Sequence, residues 1–346
     1  MKVSTQPPET DLILPTPDGA DWDGLTIHTH YFGFSIPQQA LSAFIYLRAQ
    51  PVYGLCSGGV CLFRGLDNQR PLDCEHIDYR NTMPWPTMTA NSFTTQNGLR
   101  IEFTEPGSAV DVSYRSIERD VSSFDLRLTA ITSLLVRGHV MPGEDRDSDR
   151  AAAPGGSEQF MHCTGTLTLG EANYSVDCYP IRDRSWRQVR TEAPNDYPPV
   201  GWTPMCFGPD LMFNQVGFED PAGDPPPIWK SHFTLPADGP LHYFGYVVVD
   251  GEERQLTSVQ RTVLERHPDI GGATRQVVVA RDEVGVTHIF HGEALAMAHL
   301  PSWPNNTFID SLYRWTDAVG RVAHCTYQET WYQRFQHVLK TRRTHR

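Results

Sequence analysis

The sequence is short of positive charge: 29 lysines and arginines stand against 41 aspartates and glutamates among 346 residues, a formal net charge of -12. A phosphate backbone needs a basic surface, so nucleic acid is excluded as a partner, and an anionic membrane surface is equally ill matched. No run of about 18 apolar residues occurs, which excludes an integral membrane helix. The opening stretch, MKVSTQPPETDLILPTPDGADWDG, lacks an apolar core followed by a small-residue cleavage site, so the expected compartment is the cytoplasm.

Several catalytic signatures are also missing. There is no Gly-x-Ser-x-Gly, and Ser185 has no neighbours that would activate it. Dinucleotide and phosphate-binding loops are absent, which argues against an NAD enzyme or a kinase, and no cofactor is called for. No CxxC pair offers a zinc site. The seven cysteines, at positions 56, 61, 74, 163, 178, 206 and 325, are odd in number and scattered. They fit reduced, buried thiols better than a disulfide framework, a Cys56–Cys61 bridge across a turn being the alternative.

What is present is a globular composition, 39% hydrophobic and 20% charged. The length exceeds the usual single core and points to two domains or two packed halves. Residues 1–24, rich in Pro, Asp and Thr, read as an extended arm that packs late or not at all. Beyond them hairpin follows hairpin. Alternating runs surround Pro37, Gly58-Gly59 reads as a turn, and Asn97-Gly98 and Asp250-Gly251 are hairpin turns because both residue types tolerate positive φ. Residues 144–156 read as a surface loop. Further strands are expected at 212–219, 228–235, 243–249, 254–263, 276–281, 287–292, 308–316 and 321–335. Only residues 37–42 and the Arg-rich tail hint at helix. An antiparallel all-β architecture follows, with an arm (1–24), a first β domain (25–190) and a second (191–346).

The distinctive stretch is residues 161–190, MHCTGTLTLGEANYSVDCYPIRDRSWRQVR. Two alternating strands, joined by a turn at 170–173, deliver Asp183 between Arg182 and Arg184, with Trp186 and Arg187 beyond. Paired with a guanidinium, Asp183 is a structural carboxylate; alone in an apolar cavity, it holds a proton. In an extended segment the two arginines share one face and Asp183 takes the other. His28 and His30 alternate on one strand face and could chelate a metal, or be hydrogen-bonded histidines. No third ligand is evident, since His288 and His291 fall on opposite faces and His232, His242 and His324 are scattered. Glu293 and Glu329 could be further carboxylates in a cavity or the polar face of a strand.

The order of DLRLTAI (125–131), GTLTLGEANYSVDCYPIRDRSW (165–186) and FGYVVVDG (244–251) resembles the AttH-type and carotenoid 1,2-hydratase-like group, a distant relation of tocopherol cyclase. The resemblance implies two lipocalin-like β-barrel domains packed side by side, and chemistry that adds or removes water, or cyclises, on isoprenoid and other lipophilic substrates. In that group the hairpin commonly closes with Asp-His-Ser-Trp-Gly, which falls here on Asp183, Arg184, Ser185, Trp186 and Arg187. Arg184 takes the place of the histidine and removes a proton shuttle. Arg187 takes the place of the glycine and is expected to fill the space it leaves.

Such chemistry needs a neutral acid in an apolar pocket and aromatic faces for a cationic centre. The expected site therefore has Asp183 as acid with Tyr179 and Arg182 beside it, and Trp186, Trp202, Phe207, His162, Arg184 and Arg187 against the substrate. The bland counterparts are an ion pair that locks the hairpin and a Trp186 that plugs the core. A carrier using the same cavity is the alternative function, and a metal enzyme built on His28 and His30 a third. The expected partner is a lipophilic small molecule, and the protein a monomer or homodimer.

Overall fold

The computed structural model describes residues 4–14, 22–117, 122–137, 144–145, 155–190, 197–235, 239–300 and 306–343. The alternating runs form two antiparallel sheets, one a curled half-barrel and the other a closed eight-stranded barrel. In the half-barrel, one meander runs through β1 (Thr26–Ile36), β2 (Leu41–Gln50), β3 (Leu55–Arg64) and β4 (His76–Pro84). A second runs through β5 (Thr87–Met88), β6 (Ser92–Thr94), β7 (Leu99–Glu105), β8 (Ala109–Arg115) and β9 (Ser122–Ala130). Two short strands follow, β10 (Leu135–Val136) and β11 (Glu144–Asp145), and then β12 (Gly155–Leu169), β13 (Ala172–Cys178) and β14 (Ile181–Arg190). Strands β14 and β12 lie between β1 and β9, so the central stretch of the sequence joins the two meanders into one sheet.

The barrel runs through β15 (Val200–Trp202), β16 (Met205–Cys206), β17 (Leu211–Gly217), β18 (His242–Val249), β19 (Glu252–Arg266), β20 (Ala273–Asp282), β21 (Thr287–Leu300), β22 (Asn306–Asp317) and β23 (Val322–Tyr332). Strand β15 pairs with both β23 and β17 and closes the ring, with β16 attached outside it to β17. Closure satisfies the strand edges that an open sheet leaves unpaired. The Arg-rich tail forms α1 (Gln333–Arg343), anchored by the fully buried Phe335.

Three expectations need correction. Gly58 and Gly59 sit inside β3, beside a bulge in its pairing with β4; a Cβ on Gly58 would collide with the Tyr46 carbonyl and one on Gly59 with the Asp78 carbonyl. Glycine there permits close strand approach and does not turn the chain. Residues 228–235 form turns, in which the Lys230 N–H donates to Pro227 and the His232 N–H to Trp229, while Trp229 and Phe233 enter the barrel core. The arm also packs: residues 8–12 form a 3-10 turn that buries Asp11 completely. The expected loop at 144–156 lies outside the described residues except at its two ends.

Strand β1 is buried on both faces. Its even-numbered residues, such as Phe32 and Phe34, fill the concave side of the half-barrel. Its odd-numbered Tyr31 faces the barrel, where Phe44, Tyr46 and Phe63 meet Ala296, Ala298, Phe308 and Leu312. Leu135, Phe160 and Ile181 of the half-barrel belong to the barrel's own apolar cluster, so the seam between the sheets is continuous core.

Candidate active site

The site grows from the alternation of β14. Pro180 ends the pairing of β13 with residues 163–169 of β12 and lets β14 take up residues 155–160 of the same strand. Alternation then places Asp183 and Ser185 toward the barrel, and Arg182, Arg184 and Trp186 toward the concave side. One strand thus presents an acid to one compartment and two cations to another.

On the barrel side Asp183 stands in register between Tyr31 of β1 and Glu158 of β12. Cross-strand neighbours of this kind hold their Cβ atoms about 5 Å apart. The barrel contributes the facing residues. Asn214 donates to Glu158 Oε2 at 2.6 Å and approaches the Tyr246 hydroxyl at 3.4 Å. Trp202 meets Tyr31 edge-on, ring centroids 5.4 Å apart, and its indole N–H points toward Glu158 without a fully formed hydrogen bond. Asp310 of β22 lies beyond Tyr31; its Oδ1 accepts from the Thr326 hydroxyl and the Ser311 N–H, and its Oδ2 has no partner among the described residues.

Burial decides the protonation of these acids. Glu158 is held well above the usual carboxylate range, first by desolvation and then by the charge of Asp183, against the opposing pull of Arg137 and the donors Trp202 and Asn214. Asp310, wholly buried, is pushed up to about 7 by desolvation, with Thr326 and Gln328 pulling the other way. The Tyr31 phenol is raised by burial and then by Asp310, and is neutral. Tyr31, Glu158, Asn214 and Asp310 are all buried, whereas Asp183 and Trp202 keep part of their accessible surface. A narrow groove at the same seam, bounded by Tyr31, Ser42, Leu312 and Thr326, has a cavity volume of ≈ 20 Å³, room for about one water.

The structure brings Asp183 and Trp202 together and disperses the other residues picked from sequence. Arg182 spans Asp11 with both guanidinium nitrogens, at 2.9 and 2.8 Å, and gives its Nε to Gln159. Arg184 donates to the carbonyls of Asp11 and Ile13 at 2.7 and 2.6 Å. Neither guanidinium turns to Asp183's side of the strand. Trp186 is a core plug against Gly155, with Arg184 5.2 Å over its ring. Arg187 lies in a bulge at φ 56, its guanidinium over Trp22. Tyr179 is 39% exposed and stacks on His162, which in turn bonds Asp177 on the outside of the hairpin. Phe207 stacks on Phe290 within the barrel cluster.

His28 and His30 are buried side by side on the concave face, and burial depresses the first to about 3 and the second well below its usual range. No group of three metal-ligating side chains occurs among the described residues. Glu329 is fully buried and binds Arg266 and the Ala273 N–H, while Glu293 is exposed. Sequence reasoning missed Tyr31, Glu158, Asn214 and Asp310. Asp310 alone left a local signal, as a lone acid in the apolar run FIDSLYRW.

Among solved structures, the chain is similar in fold to a putative AttH from Nitrosomonas europaea, at 12% identity and a TM-score of 0.51 over 92% of this chain and 98% of the other. A kievitone hydratase from Nectria haematococca aligns over 95% and 96% of the two chains at 11% identity and a TM-score of 0.49. CghA with Sch210972 aligns over 96% and 98% at 9% identity and a TM-score of 0.46. The AttH-type architecture expected from the central hairpin is therefore the architecture observed. No curated protein matches the chain. A family model does, over residues 15–333, and the chain belongs to that family, described as Domain of unknown function (DUF7064).

Proposed function

We propose that the protein is a cofactor-independent acid–base enzyme, a hydratase, dehydratase or cyclase acting on a lipophilic, isoprenoid-like small molecule at the seam between the two sheets. The observation that carries this reading is the position of Asp183, a partly accessible acid set between Tyr31 and the buried Glu158. Two carboxyls so close do not both ionise readily, and burial favours the proton on Glu158. That proton passes from Glu158 to Asp183, the member that keeps some accessible surface, which delivers it to an alkene carbon or to the oxygen of a tertiary alcohol and leaves both carboxyls ionised. The faces of Trp202 and Tyr31 stabilise the resulting cation, each by about 2 kcal/mol when desolvated. The carboxylate then takes a proton back, from the neighbouring carbon in elimination or cyclisation, or from the attacking water in hydration.

The AttH-type resemblance supports the reaction class, and the rings of Tyr31 and Trp202 beside the acid pair support an apolar substrate, which has to open a seam whose groove holds about one water. The test is incubation with linear and cyclic isoprenoids in deuterated water, followed by mass spectrometry for deuterium at carbon and for gain or loss of water. Asp183→Asn is expected to lower turnover by about 10² to 10⁴-fold while leaving substrate affinity nearly unchanged. Lipids recovered bound but unlabelled from both proteins would replace this reading with that of a carrier.

A further inference from the structure

The other face of β14 carries a separate observation. Asp11 is held as a bound ligand is held: Arg182 grips both carboxylate oxygens in a fork, the Gly107 N–H donates to Oδ2 at 2.6 Å, and Arg184 stands 3.6 Å from Oδ1. The carboxylate comes from a 3-10 turn rather than a strand of the sheet, on a segment tied down by the Gln6–Leu134 and Ser4–Val136 backbone bonds. That segment borders a cleft of ≈ 370 Å³ lined by residues 5–8, Gly107, Ser133 and Leu134. Cavities of this size accommodate small ligands.

The surroundings suit an anion with an apolar body. On this face of β14 two buried guanidiniums share the one carboxylate of Asp11, while Asp183 acts on Arg184 from the other side of the strand. Arg184 is lowered to about 10 by burial, against the pull of Asp11 and Asp183 and with Arg182 adding to the lowering, and the charge of Arg184 adds to the depression of His28 and His30. Both ring nitrogens of His28 and Nε2 of His30 are buried with no hydrogen-bond partner among the described residues. Phe93 packs on His30, and Phe103 lies under both arginines.

We propose that the Asp11 position, at the edge of the packed concave side, is a binding site for carboxylate-headed lipophiles, with Arg182 and Arg184 as head-group anchors, the cleft beside residues 5–8 and Gly107 taking the apolar body, and Asp11 as the resident substitute that such a ligand displaces. This site is distinct from the acid cluster on the opposite face of β14, and its test needs no turnover.

Full-length Asp11→Ala vacates the carboxylate position. Its melting temperature is expected to rise in acetate but not in chloride at equal ionic strength, whereas the native protein responds alike to both. Decanoate, followed by calorimetry, is expected to bind Asp11→Ala at least about tenfold more tightly than it binds the native chain, and the gain is lost when Arg182→Gln is added. Should Asp11→Ala fail to fold in chloride, acetate is expected to restore its β-sheet signal, and Asp11→Asn, which keeps the shape and gives up the charge, carries the decanoate comparison. Equal responses to acetate and chloride together with native-like decanoate affinity would overturn the proposal. A gain in affinity that survives Arg182→Gln would overturn it as well.

Discussion

Asp310 is the residue whose environment has the plainest consequence for stability. Its carboxyl is wholly buried, is bonded through Oδ1, and is raised from the 3.8 of a free aspartate to about 7. Below about pH 4 the acid is protonated in both folded and unfolded chains, and burial carries no protonation cost. Between about 4 and 7 the unfolded chain releases its proton while the folded one keeps it, so stability falls as pH rises, by about 4 kcal/mol in all. Asp310→Asn keeps the bond from Thr326 without an ionisable group. It is expected to leave the urea midpoint unchanged near pH 4 and to raise it near pH 8. An equal shift at both values would mean that packing, not protonation, sets the effect. Nothing local distinguished Glu158 as the neighbour of Asp183 or Asn214 as the donor to Glu158. They come from positions 25 residues before Asp183 and 31 after, and only the pairing of β12 with β14 and the packing of β17 on the sheet bring them together.

At the scale of the element, β14 tests how far a motif can be taken. The position of Arg187, where the resembling group commonly has glycine, does not ask for a space-filling side chain. It adopts φ 56 at a bulge where the pairing with β1 shifts between Ile27 and Thr29. A side chain in that left-handed conformation costs about 1 to 2 kcal/mol, of which the contact with Trp22 returns about 0.5. Arg187→Gly is therefore expected to stabilise the protein by about 1 kcal/mol in thermal or urea melts. A loss of stability would show that the Trp22 contact outweighs the backbone term. Period-two alternation made most strands legible, because burial on one face enforces it. The same signal misled at 228–235, where Ile228, Lys230 and Trp229 alternate but follow Pro225, Pro226 and Pro227, which supply no N–H to a ladder. It misled again at Gly58-Gly59, since a glycine pair looks alike in a turn and in a tightly approached strand.

The whole molecule has two sheets but no clean division of its apolar interior. Leu135, Phe160 and Ile181 of the half-barrel are embedded in the barrel's cluster, and the Asn68 side chain donates to the Met297 carbonyl across the same boundary. Unfolding one sheet therefore exposes the core of the other. Far-ultraviolet dichroism and tryptophan fluorescence are expected to report one coincident urea transition, with Trp186 in the half-barrel and Trp229 and Trp315 in the barrel as probes. Phe160→Ala is expected to lower the stability of that single transition by about 3 to 5 kcal/mol. Two resolved transitions would contradict a shared core. The two-sheet organisation was legible in the sequence from the hairpin count, whereas the sharing was not, because it rests on which face of β12 and β14 meets the barrel.

Strand β14 has, in effect, a reading frame. Its odd and even positions specify different chemistries for the two sides of one sheet, and the bulge at Arg187 is the punctuation that ends the frame. Deleting one residue between Pro180 and Asp183 would leave composition and hydrophobicity almost untouched. It would nevertheless turn the arginines toward the acid cluster and the aspartate toward Asp11, exchanging the occupants of two compartments at once.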